Sequence, residues 1–179
     1  MNIIVLSGSP RKGANTDILV SSFIEGAESE GKTVNLFRVA DMNIGGCLGC
    51  EYCFTNKGEC VQKDDMTQIL NLLYKSDALV FASPVYHASV TAQLKSAIDR
   101  LFISVNKPFP IKQTALLLTC FQKTAEEGGA IMAVDFYKGF TEHKGWENAG
   151  IIIAPRLDGK HDIKGRAELE QAKQLGCDI

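Results

Sequence analysis

The sequence contains no long apolar run, and this absence excludes a membrane-spanning helix. Even its apolar stretches near residues 115–118 and 151–154 are far shorter than the ~18 to 20 residues that a bilayer requires. The opening MNIIVLSGSPRK is apolar for only five or six residues before Pro10 and a basic pair, so it lacks the core of a signal peptide. We therefore expect a soluble, cytoplasmic protein with no membrane partner.

A block of positive charge is also missing. The chain has 19 Lys and Arg against 21 Asp and Glu, with no cluster able to neutralise a nucleic-acid backbone, so no nucleic-acid partner is expected. Histidines are few as well. His87, His143 and His161 form no spaced pair with a carboxylate, which argues against a hydrolytic zinc site or a catalytic triad.

Linkers, internal repeats and low-complexity tracts are absent. At 179 residues and 45% hydrophobic composition, the chain is long enough for one substantial core and short for two. We therefore expect a single domain over residues 1–179, interrupted only by a long cysteine-rich loop at about residues 40–63.

Short runs rich in β-branched residues alternate with longer amphipathic stretches. Strand runs buried on both faces, separated by helices, predict an α/β fold with a parallel sheet covered on both sides. Five such units suit the order 2-1-3-4-5, in which ligands bind at the carboxyl ends of the strands. The strands are expected at residues 2–6, 33–38, 78–82, 113–119 and 149–153, and the helices at 16–30, 64–74, 91–102, 126–143 and 164–175, with Gly31, Gly145 and Gly176 as helix stops.

The loop that follows the first predicted strand, SGSPRKGANT at residues 7–16, has the composition of an anion-binding site. Ser9, Asn15 and Thr16 offer polar side chains and Arg11 a charge-assisted hydrogen bond, next to the positive end of a helix. Its residue order matches neither the nucleotide-hydrolase loop nor the dinucleotide fingerprint, so ATP chemistry is not indicated. The alternative is an ordinary helix cap provided by Asn15 or Thr16.

The loop after the third strand, SPVYH at residues 83–87, could hold a flat heteroaromatic ring. Pro84 restricts the backbone, Tyr86 supplies an aromatic wall, and nearby N–H groups can reach the polar edge of a ring. Taken alone, Tyr86 and His87 would more often be a packed aromatic and a solvated or capping histidine.

Four cysteines, Cys47, Cys50, Cys53 and Cys60, have the spacing C-x2-C-x2-C-x6-C in a loop that contains several glycines. Closely spaced thiolates on a tightly turning backbone favour an iron–sulfur cluster. Structural zinc sites usually separate two C-x2-C pairs more widely. Zinc, a redox-active thiol pair and cysteines without any ligand remain alternatives.

Three segments carry a resemblance to a known family: SGSPRKGANT, then CLGCEYC with GECVQKDDM, then SPVYHASVTAQLKSAIDR. Over about residues 1–120 the chain resembles the NAD(P)H-dependent FMN reductase group of the flavodoxin-like superfamily, and within it the iron–sulfur flavoprotein branch. The resemblance implies a flavodoxin-like three-layer α/β/α sandwich and bound FMN. It assigns the FMN phosphate to Ser9, Arg11, Asn15 and Thr16, the ring to Pro84, Val85, Tyr86 and His87, and weaker contacts to Thr119 and Cys120.

The resemblance also implies the chemistry. FMN would perform the redox reaction with no catalytic side chain, NAD(P)H would be the electron donor, and a [4Fe-4S] cluster on Cys47, Cys50, Cys53 and Cys60 would make the protein an electron-transfer flavoprotein. Without a cluster, it would reduce a flavin, quinone or nitroaromatic acceptor. A flavin-binding thiol redox sensor is a third interpretation. We also expect a homodimer or a dimer of dimers. Ala88 stands where many relatives have glycine, and we expect it to tune the affinity for FMN.

Overall fold

The computed structural model describes residues 1–179 and contains five strands and six α-helices, with two short 3₁₀ helices at Val39–Asp41 and Leu101–Val105. The strands are β1 (Asn2–Ser7), β2 (Thr33–Arg38), β3 (Ala78–Pro84), β4 (Gln113–Thr119) and β5 (Glu147–Ala154). The helices are α1 (Asn15–Ser29), α2 (Tyr52–Thr55), α3 (Met66–Leu73), α4 (Ala92–Arg100), α5 (Ala130–His143) and α6 (Ala167–Asp178).

All five strands form one parallel sheet in the order β2-β1-β3-β4-β5. The predicted order and the three-layer α/β/α sandwich are thereby confirmed. β2 and β4 have the predicted bounds, whereas β3 continues to Pro84 and β5 begins at Glu147. No helix is both long and apolar enough to cross a membrane.

Alternate side chains of each strand enter two separate cores. Ile4 and Leu6 of β1 pack on one face of the sheet with α3, α4 and α5. Ile3 and Val5 pack on the other face with α1 and α6. This division follows from the two-residue period of a strand, which directs neighbouring side chains to opposite faces.

Helices α1 and α6 approach each other backbone to backbone. A Cβ atom on Gly26 would lie 1.9 Å from the Lys173 carbonyl oxygen, and one on Gly176 would lie 2.1 Å from the Phe23 carbonyl oxygen. The prediction that Gly176 stops the last helix is therefore wrong, since it lies within α6 and allows this contact. Gly31 and Gly145, at φ +71° and +70°, do follow the ends of α1 and α5.

Four helices begin later than predicted: α4 by one residue at Ala92, α6 by three residues at Ala167, and α3 and α5 for reasons that the structure shows. α3 begins at Met66 rather than Asp64, because the Asp64 carboxylate accepts the Met66 N–H at 3.2 Å from a position before the helix. α5 begins at Ala130 rather than Glu126, because Gly129 adopts a left-handed conformation at φ +65°, which interrupts a helix.

Two glycine-to-alanine substitutions, one inside the contact of α1 with α6 and one outside it, should change the stability of the fold in opposite directions. Gly26→Ala should destabilise the fold by about 1–3 kcal/mol through overpacking. Gly139→Ala is the matched control, because Gly139 lies in α5 and a Cβ atom added there would meet no atom of another element within 4 Å, so this change should stabilise the fold by about 0.5–1 kcal/mol. Denaturant unfolding measures both. Equal effects of the two substitutions would contradict the packing described.

Candidate functional site

The loops after β1, β3, β4 and β5 meet at the carboxyl edge of the sheet around a cavity of about 190 Å³. Nine of the ten residues predicted to bind FMN line it, and His87 does not. The nine are Ser9, Arg11, Asn15, Thr16, Pro84, Val85, Tyr86, Thr119 and Cys120.

The first loop is held tightly against α4 at Gly8. The Gly8 N–H donates to the Ala82 carbonyl oxygen at 2.9 Å, and its own carbonyl oxygen accepts from Thr91 Oγ1 at 2.8 Å. A Cβ atom on Gly8 would lie 2.4 Å from Thr91 Oγ1 and 2.6 Å from Leu94 Cβ. Only glycine allows this approach, which sets the path of the loop into the cavity.

The N-terminus of α1 reaches the cavity without a side-chain cap. Its N-cap residue is Ala14, which makes no capping hydrogen bond, whereas Thr91 caps α4 by accepting from the Leu94 N–H. Ala14, Asn15 and Thr16 all line the cavity. The uncapped N–H groups and the positive end of the helix are therefore available to an anion.

The polar side chains around this helix end have different partners. Arg11 is exposed and its guanidinium pairs with no protein acceptor. Asn15 Nδ2 donates to the Gly159 carbonyl oxygen at 2.7 Å and Asn15 Oδ1 accepts the Ile163 N–H at 3.2 Å, so this side chain also holds the loop after β5. Thr16 Oγ1 lies 2.8 Å from Thr119 Oγ1.

A second group of charges fixes the first loop from outside the cavity. Arg38 pairs with both Asp17 and Asp41, and it donates to the Ser9 carbonyl oxygen at 3.1 Å. Asp17 in turn accepts the Gly13 N–H at 2.7 Å. These bonds hold the loop in shape before any ligand binds.

The loop after β3 turns sharply at His87 and Ala88. Tyr86 and Ser89 exchange both backbone hydrogen bonds, and the two residues between them have φ of +47° and +63°. Such a turn usually contains asparagine and glycine, so these residues are strained. The N–H groups of Val85 and Tyr86 are used within the protein, which leaves those of His87 and Ala88 as free donors.

The sequence reasoning missed four residues that line the cavity. Ala14 belongs to the first loop, Phe121 follows Cys120, and Leu157 and Asp158 come from the loop after β5. The order of the strands could have indicated the last pair, because β5 lies beside β4 and ends at the same edge.

The loops after β4 and β5 are joined to each other. Arg156 has a left-handed backbone at φ +58°, and its N–H and Nε donate to the carbonyl oxygens of Gln122 and Lys123 at 2.8 and 3.1 Å. A wider depression of about 670 Å³ lies beside these residues and shares Phe121 and Asp158 with the cavity. Burial raises the pKa of the Cys120 thiol, so this wall residue stays uncharged.

The cysteine loop is closed at its base by backbone and side-chain hydrogen bonds. Asn43 and Asp65 face each other, with the Asp65 N–H donating to the Asn43 carbonyl oxygen at 3.1 Å and the Asn43 N–H donating to Asp65 Oδ2 at 2.7 Å. Asn106 Nδ2 donates to the Cys53 carbonyl oxygen at 3.2 Å. The loop therefore packs against the segment that follows α4.

Its four cysteines line one small cavity of about 30 Å³. Cys47 and Cys50 are exposed, while Cys53 and Cys60 are half-buried and pack against the core. Burial, and then the charges of the other three thiols, raise the pKa of Cys53. The thiols thus share one site, although no three His, Cys, Asp or Glu side chains converge on a single metal ion.

A buried ion pair supports the inner side of this site. The Arg100 side chain is 1% exposed and its two Nη atoms bind both oxygens of Asp64, at 2.7 and 3.1 Å. Burial raises the pKa of Asp64, but the hydrogen bonds from Arg100 and Gly45 outweigh it and hold that pKa below its ordinary value. Arg100 also donates to Cys60 Sγ at 3.3 Å.

The donor set of the loop fits an iron–sulfur group on two further observations. The hydroxyl of Tyr74 is buried without any hydrogen-bond partner. Burial, and then the charge of Cys53, raise the pKa of Tyr74. Tyr74 and Cys60 both line a second cavity on the other side of the loop. Buried donors beside thiolates are what an electron-rich sulfur group requires.

Comparison with known proteins relates the chain to flavin enzymes. The sequence model of a family described as NADPH-dependent FMN reductase matches residues 1–140. An iron–sulfur flavoprotein from Archaeoglobus fulgidus is 39% identical over 108 residues, which are 60% of this chain and 49% of that protein. An iron–sulfur flavoprotein from Methanocaldococcus jannaschii is 37% identical over 100 residues, which are 56% of this chain and 51% of that protein.

The curated relatives are longer than their matching region, so the chain spans about half the length of those it matches. Among solved structures, the NAD(P)H:quinone oxidoreductase from Methanothermobacter marburgensis superposes with a TM-score of 0.78 at 20% identity, covering 99% of this chain and 94% of that one. This likeness supports the flavodoxin-like fold.

Proposed function

The chain belongs to the NADPH-dependent FMN reductase family, and on that premise we propose that it is an FMN-dependent oxidoreductase. The observation that carries the proposal is the uncapped N-terminus of α1 at the carboxyl edge of the sheet, where Ser9, Arg11, Asn15 and Thr16 line one cavity. A phosphate monoester is the anion that such a helix end suits.

The FMN phosphate would lie against the first loop. Arg11 has no other partner and would supply a charge-assisted hydrogen bond, while the N–H groups at the start of α1 would donate to phosphate oxygens. Ser9 and Thr16 would act from buried positions. Asn15 would hold the loop after β5 as well as border the phosphate, since its amide already binds Gly159 and Ile163.

The isoalloxazine ring would lie beside Pro84, Val85 and Tyr86, with Thr119 and Cys120 on the far wall. The free N–H groups of His87 and Ala88 would serve the polar edge of the ring, so His87 would act through its backbone. The strained turn keeps these donors in place in advance of binding.

Bound FMN supplies hydride acceptance and one- or two-electron release, and the protein contributes binding and orientation. No catalytic side chain is assigned, because His87 does not line the cavity and burial raises the pKa of the Cys120 thiol, which stays protonated. NAD(P)H is proposed as the electron donor. The depression beside Phe121 and Asp158 adjoins the cavity and would admit it.

The phosphate assignment predicts a loss of FMN affinity on Arg11→Gln. Removing a charge-assisted hydrogen bond of about 1.5–3 kcal/mol should weaken binding roughly 10- to 100-fold. Lys12→Gln is the matched control, because Lys12 is 74% exposed and pairs with Asp41 outside the cavity, and it should change little. Quenching of FMN fluorescence on titration of flavin-free protein measures both. A larger loss for Lys12→Gln would contradict the assignment.

The cysteine loop is proposed to hold a [4Fe-4S] cluster through Cys47, Cys50, Cys53 and Cys60. Support comes from the relatives named iron–sulfur flavoproteins, from the shared cavity of the four thiols and from the buried donors Arg100 and Tyr74. Such a cluster exchanges single electrons and would link the flavin to a one-electron partner.

The cluster proposal predicts about four irons and four acid-labile sulfides per chain, next to one FMN, in anaerobically purified protein. Absorption spectra with iron and sulfide assays measure them. Cys53→Ser should abolish iron retention, whereas Cys177→Ser, a cysteine on α6 outside the loop, should preserve it.

Other outcomes of the same assay support the alternatives. FMN without iron would favour a cluster-free NAD(P)H-dependent reductase of flavin, quinone or nitroaromatic acceptors. If the thiols also changed state with oxidant while acceptor reduction stayed slow, a redox sensor would be favoured. Absence of both chromophores would overturn the flavin proposal itself.

A homodimer or a dimer of dimers is proposed for the assembled protein. Tyr86 and Phe121 line the cavity as exposed apolar side chains, and a neighbouring subunit would cover them together with the flavin. Size-exclusion chromatography with light scattering should give at least twice the mass of one chain, 19.5 kDa. A monomer that is fully loaded with flavin would overturn this proposal.

A further inference from the structure

We propose that Arg100 is a positioning residue for the iron–sulfur group, which holds Cys60 ready as a ligand and raises the reduction potential of the bound cluster. The inference rests on the proposed cluster and deepens it. It concerns a residue outside the cysteine motif, contributed by the last turn of α4.

Both terminal nitrogens of the Arg100 guanidinium bond to the segment that carries the cysteines. Nη1 donates to the Gly45 carbonyl oxygen at 2.9 Å and to Asp64 Oδ2 at 2.7 Å. Nη2 donates to Asp64 Oδ1 at 3.1 Å and to Cys60 Sγ at 3.3 Å. One side chain thus joins the start of the loop, its fourth cysteine and the residue that ends it.

Burial makes this arrangement rigid. The side chain is 1% exposed, and a guanidinium away from water must keep its hydrogen bonds because an unpaired one is costly. Its planar fork allows few alternative geometries. The position of Cys60 is therefore determined by α4 and by Asp64, whereas Cys47 and Cys50 are exposed and have no comparable partner.

The contact with Cys60 Sγ has an electrostatic consequence. A donor on a cation stabilises negative charge on sulfur, and the reduced cluster carries one more negative charge than the oxidised one. Hydrogen bonds to the sulfurs are among the factors that set the potential of such clusters. The Arg100 contact is the one charged side-chain hydrogen bond to any cysteine of the loop.

The test compares Arg100→Met and Arg100→Lys with the unmodified protein, each carrying FMN and reconstituted anaerobically with iron and sulfide. Iron per chain and the midpoint potential of the cluster are measured, the latter by optical titration with dithionite. Arg100→Met should lose part of its iron and shift the remaining cluster to a more negative potential. Arg100→Lys keeps a cationic donor at this position. It should therefore recover part of the iron content and part of the shift in potential.

Lys95→Met is the matched control. Lys95 lies on the same helix, where its ammonium pairs with Asp99 at 2.7 Å on an exposed face, so its loss removes one positive charge without touching a cysteine. It should leave iron content and potential unchanged. An equal shift in Lys95→Met and Arg100→Met would overturn the inference, because a general loss of charge would then explain both.

A second variant covers the case in which Arg100→Met fails to fold, since that change leaves Asp64 buried without its partner. Asp64→Asn combined with Arg100→Met removes both charges and should restore folding. Its cluster should still have the more negative potential. A fully loaded cluster with an unchanged potential in this variant would overturn the inference, whereas an unmodified protein that retains no iron would overturn the cluster proposal and this inference with it.

Discussion

A parallel sheet brings the carboxyl ends of all its strands to one edge, and this constraint places the cavity of the protein. Loops that are far apart in the sequence, such as those containing Arg11 and Asp158, meet there because β1 and β5 end at the same level. Ligand contacts can then be contributed by many short segments, each directly following a rigid strand. The cavity depends on the sheet more than on any single loop.

Helix α4 connects this cavity to the cysteine loop. Near its start, Thr91 bonds the Gly8 carbonyl oxygen of the first loop. At its end, nine residues and about 13 Å further along, Arg100 bonds Cys60. The two cavities share no lining residue. A rigid helix between them keeps both loops in a fixed relation, which suits a protein that would pass electrons between two groups.

Backbone strain lies in the loops that border the cavity and in the cysteine loop, where Glu51 and Lys57 have φ of +60° and +53°. His87, Ala88 and Arg156 all have positive φ although none is glycine. Each is held by hydrogen bonds of its own segment or of the neighbouring loop, as Tyr86 with Ser89 and Arg156 with Gln122 illustrate. The rest of the fold over-determines these conformations, and the turn at His87 and Ala88 leaves its two N–H groups without a protein acceptor.

Much of this arrangement was determined by the sequence itself. Apolar runs such as residues 113–119 predicted strands correctly, because burial on both faces requires continuous apolar residues. The motif around Arg11 and the C-x2-C-x2-C spacing indicated two candidate binding sites, since both patterns are made of residues close together in the sequence. Contacts between distant segments were decided only by the tertiary structure. Three such contacts are Asn15 with Gly159, Gly176 against Phe23, and Arg100 with Cys60. They depend on how helices and loops pack in three dimensions, and a local sequence pattern does not show which distant residues will meet.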